Sequence, residues 1–188
     1  MRKLIYYVHV SLDGRIEGPE GEFDWPVMGP ELSAYSFSLD DRVDAFVYGR
    51  AVWDMMSSYW PNVESMSDDP HDLKFAPVWR RTPKIVFSRT LREAGWNTRV
   101  LAGDDLAAEV TALKREPGKG LLLSGGASLA ASLAELDLID EYHVVVHPVV
   151  LGGGKSVLAH LPTRLRLQLA GTRTFDNRTT LLHYTPTR

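Results

Sequence analysis

The sequence predicts an α/β protein: a mixed, mostly parallel sheet covered by helices, with an antiparallel hairpin at its C-terminal end. First, short apolar, β-rich runs alternate with helical segments, which is the pattern of a parallel sheet with helices on both faces. Second, several of these runs are apolar throughout, as expected of strands buried on both sides. Third, the last two β runs are joined by a hairpin signal, Phe175-Asp176-Asn177-Arg178.

Taken in order, the β runs are rich in branched and aromatic residues and are bounded mostly by glycine, proline or polar residues. They predict strands at residues 4–10, 45–48, 84–87, 98–102, 121–123, 141–150, 165–174 and 179–185. Apolar residues at helical spacing predict helices at residues 31–42, 51–56, 75–80, 104–114 and 128–136, with Asp104 as the cap of the fourth. Residues 57–72 hold Pro61 and Pro70 and are predicted to form a loop with at most one helical turn.

Length and composition exclude several classes of protein. The 188 residues favour a single domain spanning residues 1–188. The absence of cysteine excludes disulfides, thiolate nucleophiles and cysteine-ligated metals. The net charge of -3 and the lack of a basic run argue against nucleic-acid binding. No apolar run is long enough to span a membrane, and the N-terminus lacks a signal-peptide pattern, so a soluble cytoplasmic protein is expected.

One stretch carries the clearest sign of ligand binding. The apolar run Leu121-Leu122-Leu123 stops at Ser124, Gly125 and Gly126 follow, and a helical pattern then begins. Paired glycines bring bare main chain close to a ligand, and the first N–H groups of a helix carry partial positive charge. A strand, two glycines and a helix start therefore suit a phosphate or pyrophosphate. The alternative is a tight strand-to-helix turn that binds nothing, since Gly-Gly turns are common.

Two further strand ends carry residues of the same kind. Gly49-Arg50 follows the run that ends at Tyr48, and Ser88-Arg89-Thr90 follows the run that ends at Phe87. Ligands of open α/β sheets bind beyond the carboxyl ends of the strands. Arginine offers a rigid fork of donors that suits phosphate oxygens, so these residues would suit the extra phosphate on a ribose. The alternative for each arginine is an ordinary surface position in a turn.

The fingerprints of other nucleotide and metal sites are missing. Gly154-Lys155-Ser156 resembles the end of a P-loop, but Val149 stands where the first glycine is needed. No G-x-G-x-x-G follows a strand, which argues against a Rossmann dehydrogenase. His143 and His147 are four residues apart on a predicted strand, so roughly 13 Å separates them and they cannot share one metal ion. The other histidines show no ligand spacing, and no metal site is predicted.

These features together resemble the dihydrofolate reductase-like superfamily, and within it the branch of the reductase domain of bacterial riboflavin biosynthesis. The resemblance covers nearly the whole chain and rests on the order and spacing of its motifs. The main motifs are Ser11-Leu12-Asp13-Gly14, Gly21-Glu22-Phe23-Asp24-Trp25, Tyr48-Gly49-Arg50, Val86-Phe87-Ser88-Arg89-Thr90, Ser124-Gly125-Gly126-Ala127 and Pro148-Val149-Val150-Leu151-Gly152-Gly153-Gly154. The resemblance implies a three-layer αβα sandwich with NADPH bound across the strand ends.

The resemblance also implies a set of cofactor-binding residues. They are Gly18, Gly49, Arg50, Ser88, Arg89, Thr90, Gly125, Gly126, Ala127 and Ser128. The strand-end glycines and Arg50 would hold phosphates, and the Ser-Arg-Thr triplet would surround the 2′-phosphate. One departure concerns the family pattern Gly-Arg-x-Thr, in which Val52 replaces the threonine, so a phosphate-binding hydroxyl is lost.

On the substrate side, the resemblance implicates Ser11, Asp13 and Trp25. Trp25 would belong, with Gly18, to a mobile loop over the nicotinamide and the substrate, and Asp13 is a candidate catalytic carboxylate. In folate reductases, an acidic residue early in the first helix assists protonation of the pterin. Glu31 corresponds to that residue if the alignment is shifted slightly, whereas ungapped counting places Ser33 there.

The function implied is that of an NADPH-dependent reductase that transfers a hydride to a small heterocyclic substrate. The leading candidate is a pyrimidine of the riboflavin pathway, 5-amino-6-(5-phosphoribosylamino)uracil, and a dihydrofolate reductase is disfavoured by the unclear acidic residue. The alternative is a non-catalytic module that senses NADP(H). The resemblance also implies a homodimer, with the apolar C-terminal strands as the candidate interface.

Overall fold

The backbone of the protein is a mixed sheet. The computed structural model describes residues 1–159 and 161–187, so His160 and Arg188 lie outside the described residues. Within them, the strands are β1 (Leu4–Ser11), β2 (Val43–Gly49), β3 (Lys84–Phe87), β4 (Thr98–Leu101), β5 (Gly120–Ser124), β6 (Glu141–His147), β7 (Leu167–Phe175) and β8 (Thr179–Pro186). Their order is β4-β3-β2-β5-β1-β6-β8-β7. The six strands from β4 to β6 are parallel, and β8 pairs antiparallel with both β6 and β7, which confirms the predicted mixed sheet.

Helices cover both faces of this sheet. They are α1 (Pro30–Leu39), α2 (Arg50–Tyr59), α3 (Pro70–Arg81), α4 (Leu106–Arg115) and α5 (Ala127–Glu135), with a 3₁₀ helix at Trp60–Ser65. Side chains alternate along a strand, so Leu121 and Leu123 of β5 join the core beneath α4 and α5. Leu122, between them, joins the core beneath α1, α2 and α3. The two cores, one on each side of the sheet, make the three layers that the resemblance implies.

Prolines account for one wrong boundary. The sequence predicts a loop at residues 57–72 and a short helix at 75–80, whereas α3 runs from Pro70 to Arg81. Asp69 caps this helix, because its carboxylate accepts a hydrogen bond of 2.7 Å from the N–H of His71. Proline fits the first turn of a helix at no cost, since its missing N–H would have had no partner there. Pro61 lies in the same way near the start of the 3₁₀ helix.

The end of β6 differs from its prediction for a similar reason. The β-rich run extends to Val150, but the strand stops at His147. Pro148 has no N–H to continue the ladder. The N–H groups of Leu151 and Gly152 bond instead to the carboxylate of Asp13, so the chain turns into a loop beside the end of β1.

The C-terminal hairpin forms as predicted. Asp176 and Asn177 both have positive φ, 55° and 50°, the conformation of a two-residue turn whose twist matches its strands. The edge strand β7 exposes Leu169, and the homodimer expected from these strands stays a prediction. No helix in the described ranges 1–159 and 161–187 is long and apolar enough to cross a membrane.

Candidate active site

Two helix N-termini meet at the carboxyl ends of neighbouring strands. β2 runs directly into α2 through Gly49, and β5 runs into α5 through Gly126. Neither helix receives a side-chain cap. The other α-helices are capped by carboxylates: Asp69 on α3, Asp105 on α4 and, across the fold, Asp176 on α1. In the part of the chain that the structure describes, α2 and α5 are thus the α-helices whose first N–H groups are left for an anion.

Gly125 and Gly126 shape the floor between these helices. Their φ angles are 60° and 74°, a region in which other residues are strained. A Cβ at Gly126 would lie 3.2 Å from Cγ2 of Val52, so α2 and the glycines are in close contact. A Cβ at Gly125 would meet no heavy atom within 4 Å. Bare main chain at Gly125 therefore faces open space. We call this space the cradle, and the binding of a phosphate in it stays a prediction.

Three of the predicted phosphate ligands come together beside this cradle. Nη1 of Arg50, the first residue of α2, lies 3.5 Å from Oγ1 of Thr90, and the hydroxyls of Ser88 and Thr90 are 3.4 Å apart. Arg50 also holds the carboxylate of Asp54, with Nε 2.8 Å from each oxygen. Because the guanidinium carries further N–H groups, one face of the fork stays available to a phosphate.

The remaining predicted cofactor residues have other surroundings, and no contact joins Gly18, which packs against Gly154, to this group in the described part of the chain. Arg89 extends into solvent, with 76% of its side chain exposed and Nε 3.5 Å from the carboxylate of Asp104. Ala127 is buried in the first turn of α5, and Ser128 is exposed next to it. Gly18 lies on the loop between β1 and α1, where its N–H donates to the carbonyl of Glu22 at 3.0 Å.

Asp13 is a clamp between two loops. Its carboxylate accepts hydrogen bonds from the Ser11 hydroxyl at 2.7 Å and from the N–H groups of Leu151 and Gly152 at 3.1 and 2.9 Å. These bonds, that from Ser11 first, lower the pKa of Asp13 to about 2. The group is therefore ionised at neutral pH, so it is poorly suited to donate a proton to a substrate, and its contacts hold the loop after β1 against the loop after β6.

The structure gives Glu31 a capping role. Its N–H donates to Asp176 at 3.0 Å, and its carboxylate accepts the N–H of Asp176 in return. This reciprocal cap joins the start of α1 to the β7–β8 turn. Ser33, the other candidate for the acidic position, places its hydroxyl 2.8 Å from Nδ1 of His71.

A pair of histidines that the sequence reasoning missed lies at the ends of β1 and β6. Nδ1 of His9 and Nε2 of His147 are 2.8 Å apart. Burial and the neighbouring His147 lower the pKa of His9 to about 3, and burial lowers that of His147 to about 4. Both rings are therefore neutral at physiological pH. The sequence alone does not predict this contact, because the two residues are far apart in the chain and meet only since β1 lies beside β6.

Trp25 packs against this pair. The centre of its ring lies 5.5 Å from that of His147 and 5.5 Å from that of Phe23, edge-on in both cases. The indole Nε1 is buried and has no hydrogen-bond partner among residues 1–159 and 161–187. A buried unpaired donor is costly, and a bound molecule that accepts its hydrogen bond would remove that cost.

The chain belongs to the RibD C-terminal domain family, whose model matches residues 2–181. It is 37% identical to the Bacillus subtilis (strain 168) protein YyaP over 179 residues, which cover 94% of this chain and 90% of YyaP. A structure from Shewanella sp. PV-4, of a protein assigned to riboflavin biosynthesis, matches all of both chains with a TM-score of 0.72 and 24% identity. Dihydrofolate reductase from Enterococcus faecalis, complexed with NADP(H), has a TM-score of 0.63 and 13% identity, covering 99% of this chain and 97% of the reductase. The dihydrofolate reductase-like fold is therefore confirmed.

Proposed function

We propose that the protein is an NADPH-dependent reductase. The observation that carries this proposal is the pair of uncapped N-termini of α2 and α5, which flank the open main chain at Gly125. Two such helix ends suit the two phosphates of a pyrophosphate. The contact of Arg50 with Thr90 supports a third phosphate beside them. The Enterococcus faecalis reductase, which shares the fold, was solved with NADP(H).

The residues of the chain have separate tasks in this proposal. NADPH supplies the hydride when it is bound. The helix N-termini and Arg50 hold its phosphates and thereby fix the position of its reactive ring. The loop that carries Trp25 excludes water from the reacting atoms. Nε2 of the neutral His9 ring and the indole N–H of Trp25 orient the substrate by hydrogen bonds. His147 positions His9, because its own two ring nitrogens already bond to His9 and to the N–H of Val27.

The proposed substrate is a small heterocycle, with 5-amino-6-(5-phosphoribosylamino)uracil as the first candidate. The family and the assignment of the Shewanella protein to riboflavin biosynthesis support a pyrimidine of that pathway. The chemistry of the side chains around Trp25 agrees, because the hydrogen-bonding groups there are neutral rings and both candidate carboxylates, Asp13 and Glu31, bond to main chain instead. Such groups suit an uncharged uracil ring better than a pterin that an acid must protonate.

The test is a fluorescence titration with NADPH and NADH, followed by hydride transfer to the uracil substrate and to dihydrofolate. Tight NADPH binding with turnover of the uracil supports the proposal. Binding without turnover on either substrate favours the alternative, an NADP(H) sensor.

Arg50→Ala is expected to weaken NADPH binding by roughly tenfold or more, because charge-assisted hydrogen bonds are lost. The solvent-exposed Arg89 provides the comparison: Arg89→Ala should have a smaller effect, and failure of the wild type to bind NADPH would contradict both functions.

Restoring the lost hydroxyl is expected to strengthen cofactor binding. Val52 has nearly the shape of threonine, and its Cγ2 lies against Gly126 at the floor of the cradle. Val52→Thr should increase NADPH affinity by about 1 kcal/mol, the typical net worth of one hydrogen bond. Val52→Ala is the control, because it removes both methyl groups of the side chain without adding a hydroxyl. Weaker binding by Val52→Thr would show that the phosphates do not lie beside this residue.

A further inference from the structure

A second cluster of polar side chains lies at the other end of β6, away from the cradle. Glu141 opens β6, and His143 follows two residues later on the same face of the sheet. His183 of β8 stands directly opposite His143 in the antiparallel register. We propose that these three residues form a binding site for a divalent transition metal ion of the zinc class.

The donor atoms have the spacing that such an ion needs. One atom from each of the three side chains can be chosen so that all lie within 4.8 Å of one another. Nε2 of His143 is 3.0 Å from Oε2 of Glu141, and Nε2 of His183 is 3.5 Å from the same oxygen. Ligands bound to zinc at their usual distances in a tetrahedral site are about 3.3 Å apart. Two imidazoles and one carboxylate leave the fourth position for water.

The environment of these donors prepares them for a metal. Only 5% of the Glu141 side chain and 1% of the His143 side chain are exposed, against 28% of the His183 side chain. Nε2 of His183 is buried and has no hydrogen-bond partner in the described part of the chain. Nδ1 of His143 lies 2.6 Å from the hydroxyl of Tyr35, the kind of outer contact that orients a metal-binding imidazole.

Two cations oppose the ion, and they act on different oxygens. Lys3 bonds to Oε1 of Glu141 at 2.8 Å, whereas Arg42 bonds at 2.7 Å to Oε2, the oxygen that the metal needs. Arg42 is the direct competitor, and 43% of its side chain is exposed, so it can turn into solvent. The proposal therefore predicts that removing Arg42 strengthens metal binding, whereas a plain ion-pair network would give no such result.

This site is independent of the proposed reductase centre. It joins β6 and β8 directly and reaches α1 through Tyr35, whereas the cradle lies at the carboxyl ends of β2 and β5. A bound ion is expected to stabilise the fold, because it binds the folded chain and not the unfolded one.

The experiment uses the full-length, tag-free protein. Zn²⁺ binding is measured by calorimetry, and Co²⁺ is added as a probe whose visible spectrum reports a tetrahedral site. One ion per chain is expected, with a rise in the melting temperature. His183→Gln should weaken binding by a factor on the order of 100, and Tyr35→Phe by about tenfold. Arg42→Gln should strengthen it by a factor on the order of 3 to 10. His71→Gln is the control at a histidine outside the cluster and should leave the affinity unchanged.

Several outcomes would overturn the proposal. One is the absence of a tetrahedral Co²⁺ spectrum in a wild-type protein whose circular dichroism shows it to be folded. Another is Zn²⁺ binding that His183→Gln does not weaken, which would place the ion elsewhere. A third is weaker Zn²⁺ binding by Arg42→Gln, since the site requires Arg42 to compete for the carboxylate. None of these outcomes bears on NADPH binding, so the two proposals fail separately.

Discussion

Replacing Gly125 by alanine is expected to remove most of the NADPH binding while the protein stays folded. The added Cβ meets no heavy atom of the protein within 4 Å, so it projects into the open space of the cradle. There it blocks the close approach of a phosphate to the main chain. The loss of one charge-assisted hydrogen bond, about 1.5–3 kcal/mol, corresponds to a 10- to 100-fold weaker affinity. The measurement is a fluorescence titration with NADPH, with urea unfolding to confirm the fold.

Gly152→Ala is the matched control for this substitution. Gly152 has a φ of 73°, close to the 60° of Gly125, and its Cβ would likewise meet nothing within 4 Å. Both variants therefore carry a similar backbone strain, about 1–2 kcal/mol. Gly152 lies in the loop after β6, which is two strands from β5 and three strands from β2 in the sheet. Equal losses of NADPH affinity in the two variants would show that Gly125 does not contact the cofactor.

The parts of the fold that could be read from the sequence are those encoded locally. The apolar runs bounded by glycine predict the buried strands, and the Asp176-Asn177 turn predicts the hairpin. Both features depend only on residues that are close together in the chain. The prediction that the Gly-Arg, Ser-Arg-Thr and Gly-Gly strand ends lie on one edge of the sheet did not depend on the exact strand order. In a parallel sheet all carboxyl ends lie on one edge, so such residues gather there in any arrangement.

The parts that could not be read depend on strand order. His9 meets His147 because β1 lies beside β6, and His143 meets His183 because β8 pairs with β6. The spacing of the histidines along the chain argued against a site shared by two of them. That argument considers one strand at a time, so it misses histidines on different strands that face each other.

The two carboxylates show a different limit of the sequence. The resemblance implicates Asp13 and Glu31 as candidate catalytic carboxylates. Carboxylates also satisfy free main-chain N–H groups, and both residues make such bonds here.

The stability of the protein is expected to fall as the pH is lowered through the range in which unfolded histidine takes up a proton. Buried His147 has a pKa of about 4 in the folded state, against an ordinary value of 6.5. Between these values the unfolded chain binds a proton that the folded chain does not, so lowering the pH favours unfolding. The contribution of neutral His147 to the free energy of unfolding is fully present above pH 6.5 and is lost progressively towards pH 4. For this one residue the total loss is about 3 kcal/mol.

His147→Gln separates this contribution from those of other groups. At neutral pH the variant should be less stable than the wild type, because His9 loses its partner. Its free energy of unfolding should, however, depend less steeply on pH, by up to about 1.4 kcal/mol per pH unit. Urea unfolding of both proteins from neutral pH down to about pH 4.5 measures the difference, within the range set by the lowered pKa. Parallel curves would mean that His147 binds a proton equally well in the folded state, and the neutral histidine pair assigned to the substrate side would then be wrong.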